Sequence, residues 1–451
     1  KDKIHDIHNF LRNSGVGYGL SSLKIFNLFY TLKKLELNNH FESTGLSECC
    51  RFSNMLKGLQ SKDLENVLNE IKKNDRLSYI LSYSISKSIN SVILNQLINL
   101  IEELCEIENK LNVQLSGKIY EYFIGRDQTA ISELGAYFTD RHIINYIYEE
   151  LLPKEDENIY DMIDMFGGSG GFTVGYINYL YKNFKNINWK EELKKISHYD
   201  MNEDIIKTAM LEVYCLTGEF PSIDNIKCIN SFNYDFSKKK YHYILTNPPY
   251  GGDKNKKSEI VQNLEIIKNM IEKDICTKFN LKNIKKIFKL NINLSESDKN
   301  TIIQYKNIIQ KLNQIDSDNN KKNVNLDTCH QIYRNFAKKY GLSANDKESI
   351  SLIMMMVLLK EGGTAIGVLK EGVFFDSKYS RIRKCLINNF NVKKVISIPK
   401  DQFENTKTKT SIIVFSNTKE KTSCIEFYNL IIKKDDKTNV FKNKNGIYSI
   451  V

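Results

Sequence analysis

The residues most capable of chemistry form the tetrapeptide Asn247-Pro248-Pro249-Tyr250, which directly follows the apolar run YHYIL. Two consecutive prolines stiffen a turn and remove two backbone donors. The Asn247 side chain and the Pro248 carbonyl could therefore both accept hydrogen bonds from one amino group, while Tyr250 offers a flat face for a planar base. Accepting both N–H bonds of an exocyclic amine directs its nitrogen lone pair towards an electrophile. The alternative is a rigid turn at the end of a strand.

A glycine-rich segment, DMFGGSGGF from Asp164 to Phe172, lies between an apolar run and a helical pattern. Glycines at the carboxyl end of a strand allow the backbone to approach a ligand closely. The segment has no lysine to grip a phosphate, so it does not match a P-loop. A tight turn between a strand and a helix would explain the same glycines.

Polar residues follow the next two predicted strands. Asp200, in HYDMNED, could accept hydrogen bonds from both hydroxyls of a ribose, which suits a nucleoside-bearing cofactor. Alternatively, Asp200 or Asn202 caps the helix that begins with IIKTAMLEV. Asn230 and Ser231 follow the strand IKCI. A polar side chain at that position could meet an adenine amino group, although an ordinary loop explains the two residues nearly as well.

Hydrophobic spacing indicates the elements that must position these residues. From Gly135 onwards strand-like runs alternate with helical ones, which predicts a doubly wound, Rossmann-like parallel sheet in an α/β protein. We predict a helical N-terminal domain, a catalytic domain in two parts, a Lys- and Asn-rich insertion that is largely helical, and a C-terminal extension. The respective residues are 1–130, 131–250 with 341–420, 251–340, and 421–451. The run TSIIVF is expected to be the last strand of the sheet.

The charge distribution indicates which kind of partner the chain could bind. Of 451 residues, 65 are Lys or Arg and 54 are Asp or Glu, so the net charge is +11. Residues 131–250, which hold the motifs, carry 12 basic and 18 acidic side chains, whereas residues 251–340 carry 18 and 10. A basic segment suggests a polyanionic partner such as nucleic acid. The alternative is a set of solvated helix faces in a protein from an AT-rich genome.

The nine cysteines contain no CxxC spacing. This favours reduced thiols in an intracellular, cytoplasmic protein over a disulfide framework or a zinc site. No apolar run reaches the ~18 residues of a membrane span, so no membrane partner is expected. The chain starts without Met and without the apolar core of a signal peptide, and we interpret it as a fragment of a longer protein.

With these residues in order, the chain resembles the N6-adenine DNA methyltransferases, and in particular the modification subunit of type I restriction-modification systems. The glycine-rich segment is similar to that family's DPxxGTGGF loop, and NPPY is its catalytic tetrapeptide. The block GAYFTDR from Gly135 to Arg141 resembles the family's GxYxTP motif. The chain departs from the pattern at Asp140 and Met165, where the family has Pro, at Lys370, where a strand usually ends in Pro, and at Asn230, where Asp is common.

The resemblance implies a methyl transfer from S-adenosylmethionine to N6 of an adenine flipped out of DNA, with no metal. Asn247 and Pro248 would accept from the amino group, Pro249 would stiffen the turn, and Tyr250 would stack on the base. Asp164 would lie beside the cofactor's amino group and Asp200 would hold its ribose. The full set of implied cofactor-binding residues is Ala136, Tyr137, Phe138, Thr139, Asp164, Phe166, Gly168, Ser169, Gly170, Asp200, Met201, Asn230 and Ser231.

The same resemblance implies DNA as the partner, together with a separate specificity subunit and a restriction subunit, in the cytoplasm or, for a viral protein, in the host cytoplasm or nucleus. Three alternatives stay open from the residues alone. NPPY also serves methyltransferases that act on RNA or on protein glutamine. The fold could persist as an inactive DNA-binding scaffold. A nuclease or recognition domain could also be fused to the chain outside these residues.

Overall fold

The computed structural model describes residues 2–16, 20–75, 77–81, 89–111, 119, 122–123, 139, 141–153, 158–250, 259–281, 295–322, 325–400, 408–432, 440–442 and 448–449. The amino-terminal part is helical, as its spacing of apolar residues predicts. Its helices are α1 (Asp2–Asn13), α2 (Leu20–Leu37), α3 (Phe52–Met55), α4 (Ser61–Lys73), α5 (Leu77–Ile80) and α6 (Ser91–Leu111). The run GKIYEYFIGRD, whose spacing of apolar residues also predicts a helix, lies mostly outside the described residues.

The remaining helices alternate with strands or follow them. They are α7 (Arg141–Tyr146, continued as a π-helix over Ile147–Leu151), α8 (Gly171–Asn183), α9 (Trp189–Glu192), α10 (Glu203–Thr217), α11 (Glu259–Lys278), α12 (Glu296–Lys322), α13 (Gln331–Tyr340), α14 (Lys347–Leu358), α15 (Gly372–Phe375) and α16 (Ser380–Asn389). Helices α8 and α10 have apolar faces that are buried, as crossover helices that cover a parallel sheet must have.

One sheet contains the central strands. They are β1 (Met162–Asp164), β2 (Ile196–Asp200), β3 (Ile226–Cys228), β4 (Tyr241–Thr246), β5 (Leu359–Lys370), β6 (Asn391–Ile398), β7 (Thr410–Ser416), β8 (Glu426–Ile432), β9 (Val440–Lys442) and β10 (Tyr448–Ser449). The strand order is β10-β8-β6-β7-β5-β4-β1-β2-β3, and β9 pairs with β8. Strands β1 to β5 are parallel, and β7 runs antiparallel between β5 and β6. The predicted doubly wound sheet is therefore confirmed, with β7 antiparallel to both of its neighbours and β9 and β10 antiparallel to β8.

Two predictions about the later part of the sheet were wrong. The run TSIIVF forms β7 but is not the last strand, because β8 pairs in parallel with β6 and extends the sheet. Strand β8 has the sequence EFYNLII. Leu430 is buried, whereas Asn429 and Ile431 on either side of it are exposed. A half-exposed strand carries a weak apolar pattern, so the sequence does not reveal it. The apolar run ISLIMMMVLL predicts a helix that continues through KEGG, but these four residues lie in β5, which begins at Leu359.

The fold divides into two compact units. The first comprises Lys1–Tyr250, His330–Ser343 and Glu348–Val451, and the second comprises Gly251–Cys329 and Ala344–Lys347. The second unit has its own small core between α11 and α12, with the buried residues Ile271, Ile275, Ile302, Tyr305 and Ile308. An ion pair between Lys278 and Asp298 also joins the two helices.

The basic surplus of the insertion does not come from these two helices. Residues 259–281 carry three lysines and four acidic side chains, and residues 295–322 carry five lysines and four acidic side chains. The lysines that make the segment basic lie largely in residues 251–258 and 282–294, outside the described residues.

Candidate active site

The glycine-rich loop connects β1 to α8 at the carboxyl end of the sheet. Gly168 and Gly170 adopt φ angles of +50° and +84°, in the left-handed region that favours glycine. The N–H of Gly167 donates to the carbonyl of Tyr199 at 2.8 Å, which ties the loop to β2. A Cβ added to Gly168 would meet no heavy atom within 4 Å, so its backbone borders open space. The loop is thus shaped as a cradle that a ligand can approach closely.

Asp164, the last residue of β1, is buried below this loop. Its Oδ1 accepts a hydrogen bond from the Thr246 hydroxyl at 2.8 Å and one from the N–H of Phe166 at 3.2 Å. Its Oδ2 has no hydrogen-bond partner in the described part of the chain. Burial raises the pKa of the Asp164 carboxyl to about 7, and the nearby Asp200 adds to this rise. A cationic group at Oδ2 would satisfy the buried atom and favour the ionised carboxylate.

Asp200 is the last residue of β2, and its carboxylate is hydrogen-bonded to the glycine-rich loop. Its Oδ2 accepts from the N–H of Gly168 at 3.0 Å, and its Oδ1 accepts from the N–H of Asn202 at 2.9 Å. Asn202 rather than Asp200 caps helix α10, since its side chain accepts from the N–H of Ile205. Burial raises the pKa of Asp200, while the backbone donors of Asn202, Gly168 and Met201 oppose that shift. A carboxylate has about four acceptor positions, so it can still take hydroxyl donors from a ligand.

The residues after β3 support the glycine-rich loop through a hydrogen bond and a contact between two rings. The Ser231 hydroxyl donates to the carbonyl of Met165 at 2.6 Å, and the side-chain oxygen of Asn230 accepts from the N–H of Phe232 at 3.1 Å. The rings of Phe166 and Phe232 lie 5.0 Å apart. The amide oxygen of Asn230 thus closes its own turn, and contact of this residue with an adenine stays a prediction.

Two other predicted cofactor residues differ in exposure. Ser169 is buried in the loop, whereas the Met201 side chain is 67% exposed at the end of β2. The carbonyl of Met201 accepts a hydrogen bond from the Cys228 thiol at 3.3 Å. The predicted residues Ala136, Tyr137 and Phe138 lie outside the described residues.

The tetrapeptide Asn247-Pro248-Pro249-Tyr250 leaves the end of β4, the strand beside β1. The Asn247 side-chain N–H donates to the Thr139 hydroxyl at 2.8 Å. The Tyr250 hydroxyl donates to the Oδ1 of Asn247 and lies 3.2 Å from the carbonyl of Val368 in β5. Burial raises the pKa of Tyr250 far above its ordinary value. Thr139 was predicted to close the cofactor pocket, and the structure places its hydroxyl against the Asn247 amide.

The sequence did not single out His198, which supports the glycine-rich loop from within β2. His198 pairs in register with Asp164 and is fully buried. Its Nδ1 lies 2.9 Å from the Thr173 hydroxyl, and a Cβ on Gly167 would come within 2.2 Å of its ring. Burial lowers the pKa of His198 to about 4, so the ring is neutral at physiological pH. The signal available in the sequence was a histidine two residues before Asp200, and a histidine in a strand is not distinctive alone.

Groups that can bind a ligand and a group that can accept from an amine lie together at the carboxyl edge of the sheet. Open backbone and a buried carboxyl oxygen lie at the end of β1, and an amide acceptor lies at the end of β4. A side-chain hydrogen bond from Thr246 to Asp164 joins the two strand ends. Ligands of open α/β sheets bind at the carboxyl ends of the strands, so the geometry suits transfer between a cradled ligand and an amino group held at Asn247.

Among the described residues, no group of three or more His, Cys, Asp or Glu side chains is arranged to hold a metal ion. None of the helices in the described ranges combines the length and apolar character that a membrane span needs.

A comparison with protein families gives one match. Residues 112–289 and 320–449, more than half of the chain, match the family model described as N-6 DNA Methylase. The matched ranges include the glycine-rich loop and the NPPY tetrapeptide. No curated protein sequence matches the chain.

Solved structures are similar in fold. A protein described as a modification subunit of a type I restriction enzyme from Vibrio vulnificus YJ016 has a TM-score of 0.60 and 16% identity, over 97% of this chain and 84% of that one. The methyltransferase subunit of a type I restriction-modification system from Streptococcus thermophilus has a TM-score of 0.56 and 13% identity, over 96% and 88%. At these identities the similarity supports the fold.

Proposed function

The chain belongs to the N-6 DNA methylase family and is an adenine-specific DNA methyltransferase, and we propose that it uses S-adenosylmethionine at the edge formed by β1 and β4. The observation that carries this proposal is the hydrogen bond between Thr246 and Asp164. This bond joins the end of β1, which precedes the glycine-rich loop, to the end of β4, which precedes the NPPY tetrapeptide, and this adjacency supports the proposal. Transfer requires both sites within reach of one another, because most of the rate comes from positioning.

The residues present fit the proposed cofactor. The orphaned Oδ2 of Asp164 suits the cationic amino group of the methionine part. Gly168 and Gly170 leave the loop without side chains where the cofactor would approach, and Asp200 is placed to accept from ribose hydroxyls. When bound, the cofactor supplies an electrophilic methyl group. The chain contributes binding and orientation.

The target adenine must leave the base stack to reach this edge. We propose that the Oδ1 of Asn247 and the carbonyl of Pro248 accept the two N–H bonds of its amino group. The Tyr250 ring would then cover the base, after its hydroxyl releases Asn247. These contacts would orient the nitrogen lone pair towards the methyl group. As the new N–C bond formed, the bond between the methyl group and the sulfonium sulfur would break and leave a neutral thioether, and one N6 proton would pass to water.

Partners beyond DNA are a further part of the proposal. The solved structures that the chain resembles include subunits of type I restriction-modification systems. We propose that this chain likewise works with a separate specificity subunit, which would sharpen its choice of target sequence, and with a restriction subunit.

A substrate comparison tests the proposed reaction. The purified chain is incubated with S-adenosylmethionine carrying a labelled methyl group, and with duplex DNA, structured RNA or protein in parallel. We expect label only in DNA, recovered as N6-methyladenine after digestion, and the methylated positions then give the target sequence. Label in RNA or in protein glutamine would contradict the DNA assignment. Cofactor binding by calorimetry without label in any substrate would support an inactive scaffold.

A further inference from the structure

We propose that the segment of residues 370–384, directly after β5, docks duplex DNA beside the target adenine. In this arrangement Phe375 contacts the base stack, and Arg381 and Lys384 contact phosphates. The inference rests on the proposed binding of adenine at Asn247, and it extends the site to the DNA that flanks the base.

The sheet register places this segment next to Asn247. Thr246, the last residue of β4, pairs with Gly367 of β5. The Tyr250 hydroxyl also lies 3.2 Å from the carbonyl of Val368. Because β4 and β5 run parallel, the chain that leaves β5 at Lys370 emerges at the same edge as the NPPY tetrapeptide. DNA that delivers a flipped base to Asn247 must pass along this edge.

Hydrogen bonds hold the segment in one conformation. The Arg383 guanidinium donates to the carbonyls of Val373 at 2.9 Å and Asp376 at 2.8 Å. The Glu371 carboxylate forms an ion pair with Lys409 at 2.9 Å, and the N–H of Glu371 donates to the Lys409 carbonyl at the same distance. The segment that carries Phe375, at the end of α15, is therefore anchored on both sides, and a rigid segment loses little conformational entropy when it binds a partner.

Phe375 points away from the core that anchors its neighbours. Its side chain is 64% exposed, whereas Val373 and Tyr379 on either side are fully buried. A single exposed apolar residue is common. Here, however, the ring projects from a segment held by hydrogen bonds at the carboxyl edge of the sheet, where the NPPY tetrapeptide also lies. Aromatic side chains in such positions can insert against base steps and lower the cost of extruding a nucleotide.

The charge of the segment selects DNA over an apolar protein partner. Residues 370–384 contain five basic and two acidic side chains. Arg381 and Lys384 are exposed on α16, and Lys378 lies exposed above the Tyr379 ring at 4.4 Å. One of the two acidic residues, Glu371, is already paired with Lys409. The remaining positive charge is complementary to the phosphates on either side of an extruded adenine.

The test compares Phe375→Ala with Ile223→Ala in the full chain. Ile223 is a matched control, because its side chain is 63% exposed. It lies just before β3, at the amino ends of the parallel strands, away from the edge that carries Asn247. Each protein methylates two duplexes with a mapped target adenine, which is either paired or opposite an abasic site. We expect Phe375→Ala to methylate the paired duplex at least tenfold more slowly than the wild type, and the unpaired target within threefold of it. Ile223→Ala should match the wild type on both.

The phosphate contacts have a separate readout. The double variant Arg381→Gln/Lys384→Gln is compared with Lys185→Gln/Lys190→Gln, whose lysines are exposed ahead of β2. Anisotropy titrations at several salt concentrations give the slope of log K against log salt. We expect the first pair to reduce this slope by about one unit for each phosphate interaction that is removed, and the control pair to leave it unchanged.

Two results would overturn the inference. One is wild-type methylation of the paired duplex by Phe375→Ala, or an equal loss on both duplexes, which would indicate an effect on the adenine pocket instead. The other is an unchanged salt slope in the double variant. Failure of the proposed function is distinguishable, because the wild type would then bind no S-adenosylmethionine or methylate no DNA.

Discussion

The Tyr250 hydroxyl donates a hydrogen bond to the Oδ1 of Asn247, the same atom that would accept from N6 of the target adenine. Tyr250 therefore occupies the acceptor before the base arrives, and the base must displace the hydroxyl. A neutral hydrogen bond contributes about 0.5–1.5 kcal/mol. Tyr250→Phe keeps the ring and removes this competition, so we expect methylation to persist and the KM for DNA to fall by up to about tenfold.

Tyr250→Ala provides the contrast to the Phe variant. It removes the ring as well as the hydroxyl, and loss of base stacking costs about 1–3 kcal/mol. We expect kcat/KM to fall by roughly 10- to 100-fold. Steady-state kinetics on one duplex measures both variants. A Phe variant as impaired as the Ala variant would show that the hydroxyl assists the reaction.

The raised pKa of Asp164 predicts a pH dependence of cofactor binding. Burial holds the pKa near 7 in the unliganded protein, and a bound ammonium group would lower it. Binding therefore releases a proton, and affinity rises with pH. Between pH 6 and pH 7 the ionised fraction grows about fivefold, and the association constant should grow by a similar factor. Calorimetry in buffers of different ionisation enthalpy measures both the affinity and the proton release.

Asp164→Asn is the matched control for this titration. The amide has nearly the same shape but no charge, so we expect weaker binding whose pH dependence retains only the contribution of the ligand itself. If the Asn variant shows the same rise between pH 6 and pH 7 as the wild type, the titrating group is not Asp164.

The close approach of His198 to Gly167 predicts the effect of adding one methyl group. Gly167→Ala would place a Cβ 2.2 Å from the His198 ring, so the loop or the ring must shift. We expect a loss of about 1–3 kcal/mol in unfolding free energy and weaker cofactor binding. Gly168→Ala is the control, since its Cβ meets nothing within 4 Å and incurs only the strain of a positive φ.

A double variant separates this clash from other causes. In Gly167→Ala/His198→Ala the ring is absent, so part of the loss should be recovered relative to the sum of the single variants. We expect a coupling of at least about 1 kcal/mol in urea unfolding. Additive losses would mean that the two side chains do not meet.

The buried neutral His198 predicts a loss of stability in acid. Its pKa is about 4 in the folded chain and about 6.5 when unfolded. The unfolded state therefore binds the proton first. The contribution to stability is complete above pH 6.5 and is lost as the pH falls towards 4, by about 3 kcal/mol. Urea unfolding of wild type and His198→Gln across this range should show the smaller pH dependence in the variant. Parallel curves would refute the assignment.

Much of the fold could be predicted from local patterns. The strands that end at Asp164 and Asp200 each join an apolar run to a polar turn, and such boundaries depend on nearby residues alone. Strand β8 was missed because its pairing with β6 depends on a partner about 30 residues earlier in the chain, while its own pattern is half polar.

The site was less accessible from sequence because its contacts are non-local. Thr246 and Asp164 are 82 residues apart, and Asn247 and Thr139 are 108 apart. Residue types indicated which side chains could carry the chemistry, but only the sheet register shows which of them meet. The family resemblance indicates Thr139 as a cofactor-binding residue, but it does not reveal that the Thr139 hydroxyl also accepts a hydrogen bond from the Asn247 amide.

The most direct test of the account is methylation by Asn247→Ala. This variant removes the acceptor for the adenine amino group and leaves the glycine-rich loop intact. The yield of N6-methyladenine is measured by mass spectrometry, with S-adenosylmethionine binding measured by calorimetry on the same preparation. We predict a yield below about one hundredth of the wild type, at least as large a loss as that caused by removing one oxyanion-hole donor, with cofactor affinity within threefold. A variant that binds the cofactor and still methylates adenine at the wild-type rate would contradict the account.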